Sequence, residues 1–123
     1  MENIYIMGAV RTAIGKYGGS LKSVPAHQMG ALVIREALTR AGIDGGTVDE
    51  VILGEVRQST ESSNIARCAA LEAGLPETVP GYTVNRLCAS AMQAAFCGCQ
   101  EIWCGEADVI VAGGTENMSR APV

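Results

Sequence analysis

Residues 78–112 read TVPGYTVNRLCASAMQAAFCGCQEIWCGEADVIVA, and the order of patterns in this stretch decides the fold. A strand-like run, Thr78 to Val84, precedes a helix-length segment, Ser90 to Cys104, and a second strand-like run follows at Asp108 to Ala112. Val109 to Ala112 is continuously apolar instead of alternating. A strand of that kind is covered on both faces, the mark of a parallel sheet in an α/β fold. Pro80 has no N–H to give to a ladder, so the Thr78 run is expected to enter the sheet only after it.

Working outward, two more apolar runs occur upstream, Ile4 to Val10 and Val51 to Val56, and helical patterns fill the gaps. Ile34, Ala37, Leu38 and Ala41 follow the i, i+3, i+4, i+7 spacing, with Arg35, Glu36 and Arg40 opposite. That helix is expected to end at Ala41-Gly42-Ile43, where glycine takes the left-handed cap and isoleucine folds back. A second helix, Asn64 to Ala73, stops the same way at Ala73-Gly74-Leu75-Pro76. Thr47-Val48-Asp49-Glu50 has capping-box spacing and predicts one turn leading into the second strand. The whole reads as α/β, four strands separated by helices, a βαβαβαβ chain on a mostly parallel sheet. Arg11 to His27, with three glycines, is the one extended loop.

The third helix differs from the others. No charged residue lies between Arg86 and Glu101, and apolar side chains surround it. Such a helix belongs between layers. Three helices do not supply enough structure to wrap it, so the chain reads as an incomplete part of something larger.

Composition narrows the function. The 123 residues are 48% hydrophobic and 18% charged, and nine Lys+Arg against thirteen Asp+Glu give a net charge of −4. No basic cluster occurs, which argues against nucleic acid or an anionic membrane as partner. The apolar runs are too short to span a bilayer, and Met1-Glu2-Asn3 is not the basic start of a signal peptide. A cytoplasmic globular protein is the expectation. The five cysteines, Cys68, Cys88, Cys97, Cys99 and Cys104, are odd in number and read as free thiols. None has the C-x-x-C spacing of a zinc site, and His27 is the only histidine, so no metal is expected.

Asn85-Arg86-Leu87-Cys88-Ala89-Ser90-Ala91 joins the third strand to the apolar helix. A nucleophile suits this position, because the chain turns sharply and the first helical N–H groups have no partner. A thiol is little ionised at neutral pH, and a helix N-terminus stabilises a thiolate by only about 0.3–1 kcal/mol, up to ~2 in partly buried geometry. Full nucleophilicity therefore also needs a general base. The same N–H groups could bind an oxyanion. Cys68, Cys97, Cys99 and Cys104 read as small core hydrophobes, and His27 as a surface or capping residue.

At this point the residues resemble a known family. Asn85 to Ala94 is similar to the active-site cysteine segment of the thiolases, the acetyl-CoA acetyltransferases and 3-ketoacyl-CoA thiolases. Arg11-Thr12-Ala13-Ile14-Gly15-Lys16-Tyr17-Gly18-Gly19, Ala73 to Pro80, Gly105 to Gly114 and Glu116-Asn117-Met118-Ser119-Arg120-Ala121-Pro122 resemble further segments of that family, in order. The resemblance implies one part of a layered α/β/α/β/α fold. Residues 1–123 would be the N-terminal part of the N-terminal domain, without the coenzyme-A-binding loop region and the second half. It implies acyl transfer, with Cys88 attacking an acyl-CoA thioester and becoming acylated. Asn85, Ser90 and Asn117 would support the nucleophile loop. No cofactor is implied beyond coenzyme A thioesters as substrates, and the complete enzyme would be a homodimer or homotetramer. The family's base, in a Gly-His-Pro segment, and its second cysteine, in Cys-x-Gly-Gly, have no counterpart here, so the isolated chain is expected to be inactive or nearly so. Ala91 stands where glycine is usual, Thr115 where methionine is common, and Glu61 to Arg67 lacks the usual glycine-glutamine-asparagine-proline pattern. Two other readings remain open: an association module that pairs with a separate chain carrying the second half, and a module using its free thiols for redox or metal binding.

Overall fold

In the computed structural model, which describes residues 2–122, three parallel strands form one sheet. They are β1 (Glu50–Gly54), β2 (Gly81–Val84) and β3 (Ile110–Gly114), in the order β2-β1-β3. Val51 lies opposite Gly81 on one side and Val111 on the other. Three helices alternate with the strands: α1 (Ala26–Ala41), α2 (Ile65–Glu72) and α3 (Ser90–Trp103). Strand β2 begins just after Pro80, as its missing donor requires.

Side chains alternate across the central strand, and this sorts the layers. Val51 and Leu53 enter a core with Ile34 and Leu38 of α1 and Ile65, Ala66 and Ala69 of α2. Gly54 faces the other way, towards α3, where a Cβ would come within 2.6 Å of the Ser90 Cβ. The result is an α/β/α arrangement, with α1 and α2 on one face and α3 on the other. Asp49 fastens the entry of β1 to that of β3 by accepting from the N–H groups of Asp108 (2.7 Å) and Val109 (3.0 Å). These two donors hold its carboxyl below the ordinary carboxylate range.

The helix ends follow the sequence. Gly42 has φ 68°, and the Ile43 N–H reaches the Leu38 carbonyl at 3.0 Å. Gly74 has φ 89°, and the Leu75 N–H reaches the Ala70 carbonyl at 3.1 Å. Asn64 caps α2 by accepting from the Arg67 N–H at 3.3 Å.

Two expectations are corrected. Ile4–Val10 joins no strand: Ile6 is 87% exposed, and a cavity of about 850 Å³ lies between this segment and β3. Ile6 and Val10 line it on one side, Val111 and Gly113 on the other, with Ala37 of α1 and Ile102 of α3. The segment is held instead at two points along the chain in or near it. The Trp103 indole donates to the Glu2 carbonyl (2.9 Å), and Gly8 passes so close to α1 that a Cβ would sit 2.8 Å from the Ala37 oxygen. A backbone kept at the far side of a cavity cannot reach the β3 edge to bond. The turn before β1 also falls earlier than Thr47–Glu50. It is a single 3-10 turn, Gly45–Thr47, capped by the Asp44 side chain, because Asp49 is committed to β3 and Glu50 to the sheet. In keeping with too little structure to wrap it, α3 buries only Ser90, Ala94 and Gly98, and Phe96 on its outer face is 55% exposed.

Candidate active site

Where β2 ends, the chain makes a tight loop, 85–89, before entering α3. Leu87 has φ 50°, the one positive φ at a non-glycine residue among those described. Two side chains hold it there. Asn85 Oδ1 accepts from the Leu87 N–H at 3.0 Å, and Asn85 Nδ2 donates to the Val56 carbonyl at 3.0 Å. The Ser90 hydroxyl accepts from the Arg86 N–H (2.8 Å) and donates to the Leu87 carbonyl (2.6 Å), stapling the loop across its base. Cys88 follows the strained residue and is exposed.

The amides around Cys88 are partly used within the loop. The Ala89 N–H donates to the Arg86 carbonyl and the Ser90 N–H to the Leu87 carbonyl, both at 3.1 Å. The next two, Ala91 and Met92, belong to the first turn of α3, whose backbone donors have no partner inside the helix. Ala91 packs tightly here: a Cβ on Gly114 would lie 2.9 Å from the Ala91 methyl.

Asn117 makes its hydrogen bonds to a different loop. Its amide nitrogen donates to the carbonyls of Leu21 (3.2 Å), Lys22 (3.2 Å) and Val24 (2.7 Å), and its oxygen accepts from the Ser119 N–H at 3.0 Å. Its hydrogen bonds therefore hold the Arg11–His27 loop, and Ser119 assists by accepting from the Gly18 N–H at 2.8 Å. His27, in the first turn of α1, places Nδ1 2.5 Å from Glu72 Oε2 of α2 and so ties two helices together. Cys68, Cys97 and Cys99 are half-buried, but Cys104, expected in the core, is exposed at the end of α3. All five thiols are free, and among the described residues no group of His, Cys, Asp and Glu is arranged to hold a metal ion.

Two acidic residues beside the site escaped sequence reasoning. Glu55 follows β1, is 4% exposed, and leaves one carboxyl oxygen without a partner. Burial pushes its pKa up to about 7, the charge of Glu116 adds to the shift, and His27 opposes it. Its only sequence signal is an acid closing an apolar run. Glu116 accepts from the N–H groups of Val56 (2.8 Å) and Arg57 (3.1 Å), a contact across 60 residues that no local pattern announces.

Comparison with known proteins places this geometry in context. Residues 4–123 match the family described as thiolase, N-terminal domain. The chain is 52% identical over 122 residues to an acetyl-CoA acetyltransferase of Pseudomonas aeruginosa, covering 99% of this chain and 31% of that protein. It is 43% identical over 123 residues to a probable acetyl-CoA acyltransferase of Staphylococcus aureus, again spanning 31% of the relative. The crystal structure of the Bacillus anthracis acetyl-CoA acetyltransferase superposes with a TM-score of 0.92 at 48% identity, covering 95% of this chain and 30% of that one. This chain thus spans about a third of the length of the relatives it matches. With one family's pattern running through nearly every residue and the same fold in a solved relative, the chain belongs to the thiolase family.

Proposed function

We propose that Cys88 is the nucleophile of an acyltransferase acting on acyl-CoA thioesters through an acyl-cysteine intermediate. The reaction is either thiolytic cleavage of a 3-ketoacyl-CoA or condensation of two acetyl-CoA. The observation that carries this reading is an exposed thiol on a strained, doubly pinned loop at the entrance to α3. The names of the relatives, acetyl-CoA acetyltransferase and acyltransferase, support it. The Cys88 thiolate adds to the thioester carbonyl, the coenzyme A thiolate leaves and takes up a proton, and the acyl group stays on sulfur. The thioester supplies its own activation, so the reading calls for no cofactor or metal.

The proton acceptor is not among the described residues near Cys88. His27 is the only histidine of the chain, and its Nδ1 is paired with Glu72. Residues 1–123 are therefore read as the N-terminal part of the N-terminal domain, with base and coenzyme-A-binding loop supplied from beyond them. The proposed setting is a cytoplasmic homodimer or homotetramer, which the exposed apolar side chains of α3 favour. Those side chains equally suit the second reading, an association module that pairs with a chain carrying the other half.

Incubating the 123-residue chain with acetyl-CoA at alkaline pH, followed by peptide mass spectrometry, tests the reading. Acetylation is expected at Cys88, well above Cys104, the other exposed thiol. Cys88→Ser should abolish it, and multiple turnover on acetoacetyl-CoA should be negligible. Equal labelling of both thiols would overturn the assignment.

A further inference from the structure

The Glu116-Asn117-Met118-Ser119 segment has no part in the chemistry above, yet its first residue reaches the Cys88 loop through a continuous series of hydrogen bonds. Glu116 Oε1 accepts from the Val56 N–H at 2.8 Å and Oε2 from the Arg57 N–H at 3.1 Å. The Val56 carbonyl accepts from Asn85 Nδ2 at 3.0 Å. Asn85 Oδ1 accepts from the Leu87 N–H, again at 3.0 Å, and Leu87 precedes Cys88.

We infer that Glu116 is a positioning residue for the Cys88 loop, acting through the backbone of Val56 and Arg57 and the side chain of Asn85. The inference rests on the reading of Cys88 as nucleophile for its purpose, though not for its geometry. A carboxylate accepting from two successive backbone N–H groups makes charge-assisted bonds and fixes the plane of the peptide between them. That plane sets where the Val56 carbonyl points, and the carbonyl orients the Asn85 amide. Leu87 is the element with two arrangements. A leucine relaxes out of the left-handed region unless its surroundings hold it there. Its side chain is 67% exposed, so packing does not hold it and the hydrogen bonds must. Glu116 is itself anchored from the sheet, since the preceding Thr115 N–H donates to the Gly54 carbonyl at 3.1 Å. The register of β1 and β3 is thereby passed to the Cys88 loop.

The test is hydrogen exchange of the Leu87 amide by NMR, in the full 123-residue chain. Glu116→Gln keeps one acceptor and loses the charge, and is expected to speed Leu87 exchange about five- to tenfold. Exchange at Leu53 and Gly54 in the β1 ladder should stay as it was. Asn85→Ala should produce at least the same change, and the double variant no more than Asn85→Ala alone, because the two act in series. Unchanged Leu87 exchange in Glu116→Gln, or effects that multiply in the double variant, would overturn the inference. Should Glu116→Gln lose ladder protection altogether, Glu116→Asp keeps the charge, shortens the reach and is judged by the same two outcomes. Acetylation of Cys88 by acetyl-CoA, measured alongside, is expected to fall by a similar factor. Equal acetylation of Cys88 and Cys104 in the unaltered chain would remove the acyl-transfer reading while leaving the coupling measured by exchange intact.

Discussion

Leu87 holds a backbone conformation that costs an L-residue about 1–2 kcal/mol relative to the right-handed region. The loop offsets this with hydrogen bonds at both ends of the residue: Asn85 takes its N–H, and the hydroxyl and N–H of Ser90 share its carbonyl. Strain held in place by its surroundings keeps the next side chain, Cys88, turned outward. Glu55 shows a different tension, a buried carboxyl whose proton has become part of the fold. Its pKa of about 7 stands above the ordinary value of 4.5, so the native state binds the proton more tightly than the unfolded chain does. The stability tied to that proton is full below the unfolded value and is lost as pH rises through 7. Glu50 moves the same way, through burial and a hydrogen bond with Glu101. Glu55→Gln is therefore expected to raise the urea midpoint at about pH 8 while leaving it nearly unchanged at about pH 5. Equal shifts at both values would mean that Glu55 does not carry the titration.

Among the elements, α3 is positioned by side chains missing from both sides of its contact with the sheet. Gly54, Gly98 and Gly114 each leave space that a Cβ could not share. Added there, it would lie 2.6 Å from Ser90, 2.7 Å from Ile110 and 2.9 Å from Ala91 respectively. The helix thus rests almost directly on the strand backbones, and its first turn is fixed relative to the ends of β1 and β3. Gly54→Ala is expected to destabilise the fold by about 1–3 kcal/mol through overpacking. Because the clash falls on Ser90, which staples the loop, loss of Leu87 amide protection in the same variant would show that the staple has opened. Calorimetry and exchange together check this. A stability change near zero would mean that α3 can withdraw from the sheet without cost. The helix ends at Gly42 and Gly74 are legible in the sequence, since each depends on residues within one turn of one another.

At the scale of the whole molecule, the outer face of α3 and the segment near the N-terminus present apolar side chains to solvent. Ile6, Ile14, Met92 and Phe96 are all more than half exposed. Exposed apolar side chains in this number mark an interface. The chain is expected to self-associate as its concentration rises, and Phe96→Glu should shift the sedimentation profile towards monomer. An unaltered profile would place the contact elsewhere. Local pattern was enough for the parallel α/β order, the entry of β2 after Pro80, the glycine-capped helix ends and the position of Cys88 between strand and helix. These follow from periodicity, proline's missing donor and caps, all local properties. Family resemblance also placed Asn85 and Ser90 in that loop. That Ile4–Val10 stays outside the sheet, and which face of α3 is covered, follow from three-dimensional packing. It alone brought Glu116 within reach of Val56 and sent the hydrogen bonds of Asn117 to residues 21–24. Hydrophobic pattern states what a segment would bury, but whether a partner lies at hydrogen-bonding distance is fixed by contacts between residues remote in sequence.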